Sequence, residues 1–154
     1  MNQEFREYLR SLDMAEPLID RVETIHDRYL ALVPLEFDRI FVTDFITSEG
    51  DRRYENLWFF QGDLAFEAHD FVVEDEIDGG EFPYIEIWTV SSVDYDFVEA
   101  TDDSRLSVDF VSGPISGAMK ASGSNCDALR YLISDWIVPR VGRVAAPTIE
   151  DSTK

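Results

Sequence analysis

The chain has 154 residues, of which 45% are hydrophobic, so it has the length and the apolar content of one compact domain with its own core. It carries 32 acidic and 13 basic residues, which gives a net charge of −19 at pH 7. This charge argues against DNA, RNA and anionic membranes as partners, because polyanions would be repelled. We therefore expect a single domain over residues 1–154, with no nucleic-acid or membrane partner.

Two amphipathic helices are predicted in the N-terminal part, residues 1–34. Residues 2–12 and 17–33 carry apolar residues at steps of three and four, the spacing that places side chains on one helix face. Pro34 ends the second helix, because proline cannot donate the backbone hydrogen bond that another turn needs. The apolar positions are Phe5, Tyr8, Leu9 and Leu12 in the first helix, and Leu18, Val22, Ile25, Tyr29 and Leu32 in the second.

After Pro34 the apolar residues recur at every second position, which indicates strands. Residues 35–121 are expected to form an antiparallel sheet of six to seven strands, with turns at SEGD, QGD and SGP. The least regular strand lies around residues 93–97. Much of the aromatic content of residues 57–88 is expected to lie in the core.

The last predicted element is an amphipathic helix over residues 124–138. Ser or Asn can cap its start, and Asp127 lies in the first turn, where the helix dipole favours an anion. Its apolar face needs a matching surface, which we expect to be one face of the sheet. That face consists of Leu129, Leu132, Ile133, Trp136 and Ile137. Residues 140–154 show no sustained period and are predicted to be a tail. The fold class is therefore α+β.

The stretch VDFVSGPISGAMKASGSNCDALRYLISDWI, a hairpin that runs directly into the closing helix, resembles the pleckstrin-homology-like architecture. That resemblance covers residues 38–138 and implies a curved sheet or partial barrel closed by the C-terminal helix. Lipid-binding members of the family present a basic loop between their first two strands. Here the corresponding turn, SEGDRR, sets Glu49 and Asp51 beside Arg52 and Arg53, so the resemblance implies a protein-interaction module.

The acidic residues are concentrated in one part of the sequence. Residues 54–104 contain fifteen acidic residues and no Lys or Arg. A basic protein would be attracted to such a surface, and exposed aromatic residues would add affinity. We predict that the partner-binding residues are Glu74, Asp75, Glu76, Asp78, Glu81, Tyr84, Glu86, Trp88, Asp94, Tyr95 and Asp96.

The acidic loop resembles the first half of an EF-hand calcium loop, because Glu74, Glu76 and Asp78 alternate and Gly79 follows. The twelfth position of such a loop needs a bidentate Glu, but Ile85 stands there. The flanking segments are predicted strands, whereas EF-hand loops join helices. We expect a solvated loop and no metal site.

Catalytic and cofactor motifs are absent from the sequence. His26 and His69 lack the spacing of a zinc site or of a catalytic pair, so we expect structural or surface roles. Cys126 opens the last helix beside Asp127, whose charge opposes thiolate formation. We expect no catalytic, cofactor-binding or metal-binding residues.

Together these features predict a non-enzymatic acidic interaction module, such as an immunity or inhibitor protein that binds a basic protein. We expect it to be cytoplasmic, since a single cysteine cannot form an internal disulfide, and to be a monomer or small homo-oligomer. Two alternatives remain: a nucleic-acid mimic, or a small-ligand-binding or enzymatic domain with an unrecognised pocket. The acidity could also reflect a saline host, although that would not confine it to one stretch.

Overall fold

In a computed structural model, the chain is described over residues 1–32, 36–69, 71–72, 85–89, 94–99, 105–112 and 115–140. The first elements are helices α1 (Gln3–Ser11) and α2 (Glu16–Leu32), followed by strands β1 (Arg39–Ile46), β2 (Arg52–Gln61), β3 (Leu64–Ala68) and β4 (Ile85–Thr89). The later elements are β5 (Asp94–Glu99), β6 (Arg105–Ser112), β7 (Ile115–Ser122) and α3 (Asn125–Leu132), which continues as a π-helical turn (Ile133–Ile137) and a 3-10 turn (Val138–Arg140).

Residue contacts divide the chain into two compact units, Met1–Trp88 and Thr89–Lys154, which are described separately below. The expectation of a single domain over residues 1–154 stays a prediction. None of the helices in the described ranges combines the length and the apolar character needed to cross a bilayer.

The two N-terminal helices are confirmed. Asn2 caps α1, since its side-chain oxygen accepts the backbone N–H of Phe5 at 2.9 Å. After Leu12 the chain turns through Asp13, whose φ of 61° is left-handed, and α2 then begins at Glu16. A left-handed residue after a helix satisfies its last carbonyls, and here the Asp13 N–H donates to the Arg10 carbonyl at 2.9 Å.

Strands β1 to β4 form one sheet in the order β1-β2-β3-β4. Strand β2 pairs antiparallel with β1 on one side and with β3 on the other, so that Trp58 lies opposite Phe41 and Glu67. The register of β1 shifts between Val42 and Asp44, at Thr43. The Thr43 hydroxyl there accepts the N–H of Asn56 at 2.8 Å, so a side chain replaces a backbone group in the ladder.

One face of this sheet packs against α1 and α2. Most of the predicted apolar face of each helix is buried there, with Leu9, Val22, Ile25 and Tyr29 fully enclosed. Ile19, which was not among the predicted positions, is enclosed as well, whereas the predicted Leu32 is 67% exposed. Their partners on the sheet are mainly aromatic, and the Phe37 ring stacks on Phe59 with centroids 4.9 Å apart. The buried residues of this layer that come from the sheet and its flanking segments are Phe37, Val42, Leu57, Phe59, Phe66, Ala68 and Phe71.

The opposite face of the sheet is buried as well. Phe41, Trp58, Phe60 and Ala65 are enclosed, and the Trp58 and Phe60 rings are nearly parallel with centroids 6.1 Å apart. The prediction that the aromatic residues after position 57 belong to the core is therefore confirmed for Trp58, Phe59, Phe60 and Phe66. A sheet buried on both faces explains why β2 reads as a continuous apolar run.

In the second unit, β5, β6 and β7 form an antiparallel sheet in that order, and β7 leads through a short turn into α3. Helix α3 packs against β6 and β7, as its apolar face predicted. Leu129, Leu132, Trp136 and Ile137 are buried. Ser124 stands at the N-cap, although among the described residues its side chain forms no capping bond.

The predicted single sheet of six to seven strands, curved or partly closed into a barrel, is wrong. The described strands form one sheet of four and one of three. The coarser prediction, an α+β fold with two N-terminal helices, antiparallel strands and a C-terminal helix, is confirmed.

Candidate functional site

The predicted partner-binding residues fall into two groups in the structure. Five of them lie on strands whose backbone is described, namely Glu86 and Trp88 on β4 and Asp94, Tyr95 and Asp96 on β5. The other six lie outside the residues that the structure describes, and these are Glu74, Asp75, Glu76, Asp78, Glu81 and Tyr84. The structure therefore neither brings the eleven together nor separates them, and their shared role stays a prediction.

The register of the second sheet places acidic residues next to each other. Strand β5 pairs with β6 so that Asp94 lies opposite Val111 and Asp96 lies directly opposite Asp109. The backbone register thus sets two acidic positions opposite each other, one inside residues 54–104 and one outside them.

Three arginines pair with acids outside the acidic stretch. Arg6 on α1 contacts Asp20 and Glu23 on α2, at 3.1 and 3.4 Å. Arg10 reaches Glu16 at 2.9 Å, and in the second unit Arg130 reaches Asp127 at the same distance. These guanidinium groups are thus occupied by carboxylates other than the fifteen of residues 54–104.

One acid of that stretch is buried beside a histidine. The Glu67 carboxylate on β3 accepts a hydrogen bond from the Asn56 amide at 3.0 Å, and its other oxygen lies 3.3 Å from His69 Nε2. Glu67 is buried, whereas 29% of the His69 side chain is exposed. A carboxylate in contact with an imidazole in this way can fix the orientation of the ring.

This cluster was not predicted from the sequence, although a signal for it was present. The predicted strand LAFEAHDFVV sets Glu67 and His69 two residues apart and so on one face, while the observed β3 ends at Ala68. The distance of Glu67 and His69 from Asn56 is set by the pairing of β2 with β3, in which Leu57 lies opposite Ala68. His69 thus contacts a buried acid, and the contact is compatible with the structural role predicted for it.

Tyr29 lies at the helix side of the same strands. Its ring is enclosed by Phe37, Phe59 and Phe66, and its hydroxyl has no hydrogen-bond partner in the described part of the chain. Burial raises the pKa of this hydroxyl well above its usual range, and the negative charge of Glu67 raises it further. Tyr29 therefore stays neutral at any physiological pH.

A second buried acid is paired with an arginine. Asp44, at the end of the β1 bulge, is fully enclosed and forms a salt bridge with Arg52 at the start of β2. The nearby Tyr54 hydroxyl donates to the Leu12 carbonyl at 2.7 Å. Burial raises the pKa of Tyr54, the Arg52 charge lowers it, and the charges of Asp13 and Asp44 raise it. This group joins the hairpin to the end of α1.

The other two candidate residues are buried in apolar surroundings. His26 on α2 lies among the rings of Phe5, Phe37 and Phe59, and its Nδ1 is 3.0 Å from the Asp27 carboxylate. The Cys126 thiol is buried at the start of α3 and lies 3.5 Å from the Ala121 carbonyl oxygen. Both positions are those of structural residues. Across the described ranges, no three metal-ligating side chains come together.

Comparison with protein-family models, with curated proteins and with solved structures finds no match to this chain.

Proposed function

We propose that this protein is a non-enzymatic acidic interaction module that binds a basic protein, as an immunity or inhibitor protein does. The observation that carries the proposal is the run of residues 54–104, with fifteen acidic residues and no Lys or Arg. A single-sign surface of this kind speeds encounter with a basic partner and disfavours acidic ones.

The ion pairs of the described residues support this proposal. Arg6, Arg10 and Arg130 pair with acids outside the acidic stretch, so these three guanidinium groups do not neutralise its carboxylates. The stretch itself contains no Lys or Arg, and its one histidine, His69, lies beside the buried Glu67.

The test is affinity capture from the native host with three proteins: the wild type and two fourfold neutralised variants. The first variant removes charge from the acidic stretch, and the control removes as much charge from exposed positions of α1 and α2. The first carries Glu74→Gln, Asp75→Asn, Glu76→Gln and Asp78→Asn, and the control carries Glu4→Gln, Glu7→Gln, Glu16→Gln and Asp20→Asn.

The wild type and the control should retain the same basic protein, and the variant of the acidic stretch should lose it. Raising the salt concentration to about 0.5 M should also release the partner, because screening shortens the range of charge interactions to a few ångströms. The proposal fails if binding is equal for all three proteins or does not respond to salt.

The nucleic-acid mimic is separated from this proposal by competition. A mimic occupies the DNA-binding surface of its partner, so an excess of duplex DNA should displace it, with the partner being a nuclease or a repressor. An immunity or inhibitor protein that binds elsewhere on the partner would be retained in the presence of DNA.

The pleckstrin-homology-like relationship and the cytoplasmic location belong to the same proposal. The order of elements in the second unit, antiparallel β6 and β7 followed directly by α3, supports the relationship. Cys126, the single cysteine of the sequence, is buried and therefore compatible with a reducing compartment. An experimental structure that showed another strand order in the second unit would contradict the relationship.

A ligand-binding or enzymatic role is the second candidate, and one observation favours it: the buried Glu67 carboxylate in contact with the partly exposed His69. A carboxylate–imidazole pair can move protons. A panel of small molecules that stabilises the wild type against heat, but not the Glu67→Gln and His69→Gln variants, would favour this candidate over the interaction module.

A further inference from the structure

Among the strands that the structure describes, β1 is the outermost strand of the first sheet. In the order β1-β2-β3-β4, it pairs with β2 and presents its other edge away from the sheet. The outer edge of such a strand carries backbone N–H and C=O groups that can pair with a strand of another molecule. The β1 sequence RIFVTDFI is rich in β-branched and aromatic residues, so it is well suited to such pairing.

A side chain of α1 contacts the backbone of this strand. The N–H of Val42, in the middle of β1, donates to the Tyr8 hydroxyl at 3.0 Å. Tyr8 is held in place by its helix, since its neighbours Phe5, Leu9 and Leu12 are buried in the core. A backbone donor that an added strand would use is thus satisfied from within the chain.

Directly after this contact the strand is irregular. The bulge at Thr43 shifts the register, and the Thr43 hydroxyl takes part in the ladder with Asn56. A bulge increases the local twist and makes an edge less suitable for a flat second strand. Beyond it, Phe45 is 41% exposed, so apolar surface remains available at that end of β1.

We propose that Tyr8 blocks the edge of β1 against antiparallel pairing with the β1 strand of a second copy of the chain. The second copy is the expected occupant because identical strands are always present at equal concentration and pair about a twofold axis. The net charge of −19 opposes that pairing too, since two such chains repel each other. The contact and the charge therefore act together, and high salt should reveal the contribution of Tyr8. This inference does not depend on the proposed partner.

The experiment compares sedimentation of the wild type, Tyr8→Ala and Tyr54→Phe at about 0.05 M and about 0.5 M salt. Tyr54→Phe is the matched control, because it also removes a tyrosine hydroxyl that joins the end of α1 to the sheet, but that hydroxyl donates to Leu12 and not to the β1 edge. Far-UV circular dichroism establishes that each variant is folded.

We expect Tyr8→Ala to form dimers or larger species at high salt, while the wild type and Tyr54→Phe keep their sedimentation coefficients. The proposal is overturned if Tyr8→Ala sediments like the wild type at both salt concentrations. It is overturned as well if Tyr54→Phe associates to the same extent, since loosening of α1 would then be the cause.

A milder variant keeps the test valid if Tyr8→Ala does not fold. Tyr8→Phe retains the ring and loses only the acceptor, so the Val42 amide should exchange with solvent on the order of tenfold faster than in the wild type. In Tyr54→Phe this amide should exchange at the wild-type rate. Unchanged exchange in Tyr8→Phe would show that the hydroxyl does not protect the β1 edge.

Discussion

In the first unit, the charged side chains of helices α1 and α2 pair near the protein surface. On strands β1 to β3, by contrast, the paired carboxylates are buried. Arg6 and Arg10 on α1 meet carboxylates of α2 that are largely exposed. On the sheet, the buried Asp44 carboxylate pairs with Arg52, and the buried Glu67 carboxylate contacts Asn56 and His69. Similar carboxylates thus sit in two different dielectric surroundings within one unit.

The difference shows which charges the fold depends on. Exposed pairs contribute between zero and about 1 kcal/mol, because water and salt screen them. A buried acid that loses its partner costs several times as much, because its desolvation is no longer offset. The sheet should therefore respond sharply to the loss of a charged group, and the helices should respond weakly.

The largest effect is expected where the two regions meet through aromatic rings. Phe59 contacts Phe37 and Tyr29 and lies 5.4 Å from the His26 ring centroid. Phe59→Ala should lower the free energy of unfolding by about 4 kcal/mol, because it leaves a cavity between helices and sheet. Urea denaturation measures this change. Phe59→Leu, which keeps most of the volume, should lose less than about 1.5 kcal/mol, and equal losses would argue against a tightly packed junction.

The next largest effect is expected for the buried salt bridge between Asp44 and Arg52. Arg52→Met removes the guanidinium from the enclosed Asp44 carboxylate and should lower the free energy of unfolding by about 3 kcal/mol. The double variant Asp44→Leu/Arg52→Met removes both charges and should recover most of that loss in the same urea titration. If the double variant is no more stable than Arg52→Met, the unpaired charge of Asp44 is not the cause of the lost stability.

Tyr29→Phe should have a smaller effect of opposite sign. It removes a buried hydroxyl that has no partner in the described part of the chain, so stability should rise by about 1 kcal/mol. The raised pKa also makes a pH prediction, because above pH 10.0, the ordinary tyrosine pKa, an unfolded Tyr29 loses its proton while the folded one keeps it. Wild-type stability should therefore fall as the pH rises through this range, and less steeply in Tyr29→Phe.

Urea titrations of both proteins between neutral pH and about pH 11 measure the difference, which is the contribution of Tyr29 alone. Tyr54→Phe is a useful comparison, since burial also raises the pKa of Tyr54 but its hydroxyl has an acceptor, the Leu12 carbonyl. Tyr54→Phe should lose stability at neutral pH. A gain in Tyr54→Phe, or a loss in Tyr29→Phe, would contradict the assignment of the two hydroxyls.

The helices could be predicted from the sequence because their signals are local. Apolar spacing placed α1, α2 and α3 within a few residues of their observed bounds, and Asp127 lies in the first turn of α3 as expected. The π-helical turn at Ile133–Ile137 was not foreseen, since one extra residue in a turn leaves no mark on a short apolar pattern. The division of the strands between two sheets was missed because the apolar pattern of a strand does not indicate whether it pairs with the strand before it.

The candidate site was predictable to a lesser degree. The acidic stretch is a property of composition, so the sequence reveals it directly, but the arrangement of its side chains depends on loops and register. Glu67 and His69 could have been paired from strand alternation alone. The burial of Asp44 could not have been predicted, because it depends on the bulge at Thr43 and on the hairpin that brings Arg52 beside it.

The smallest effect is expected for the exposed ion pairs of Arg6 on the helices. Arg6→Ala removes contacts with Asp20 and Glu23 and should lower the free energy of unfolding by less than about 1 kcal/mol. The loss should shrink further at high salt, which screens these carboxylates, whereas the loss in Arg52→Met should change little because Asp44 is enclosed. Urea titrations of both variants at low and high salt measure the two responses. If Arg6→Ala lowered the free energy of unfolding as much as Arg52→Met, or if its effect were equally insensitive to salt, the ion pairs of Arg6 would contribute as buried pairs do.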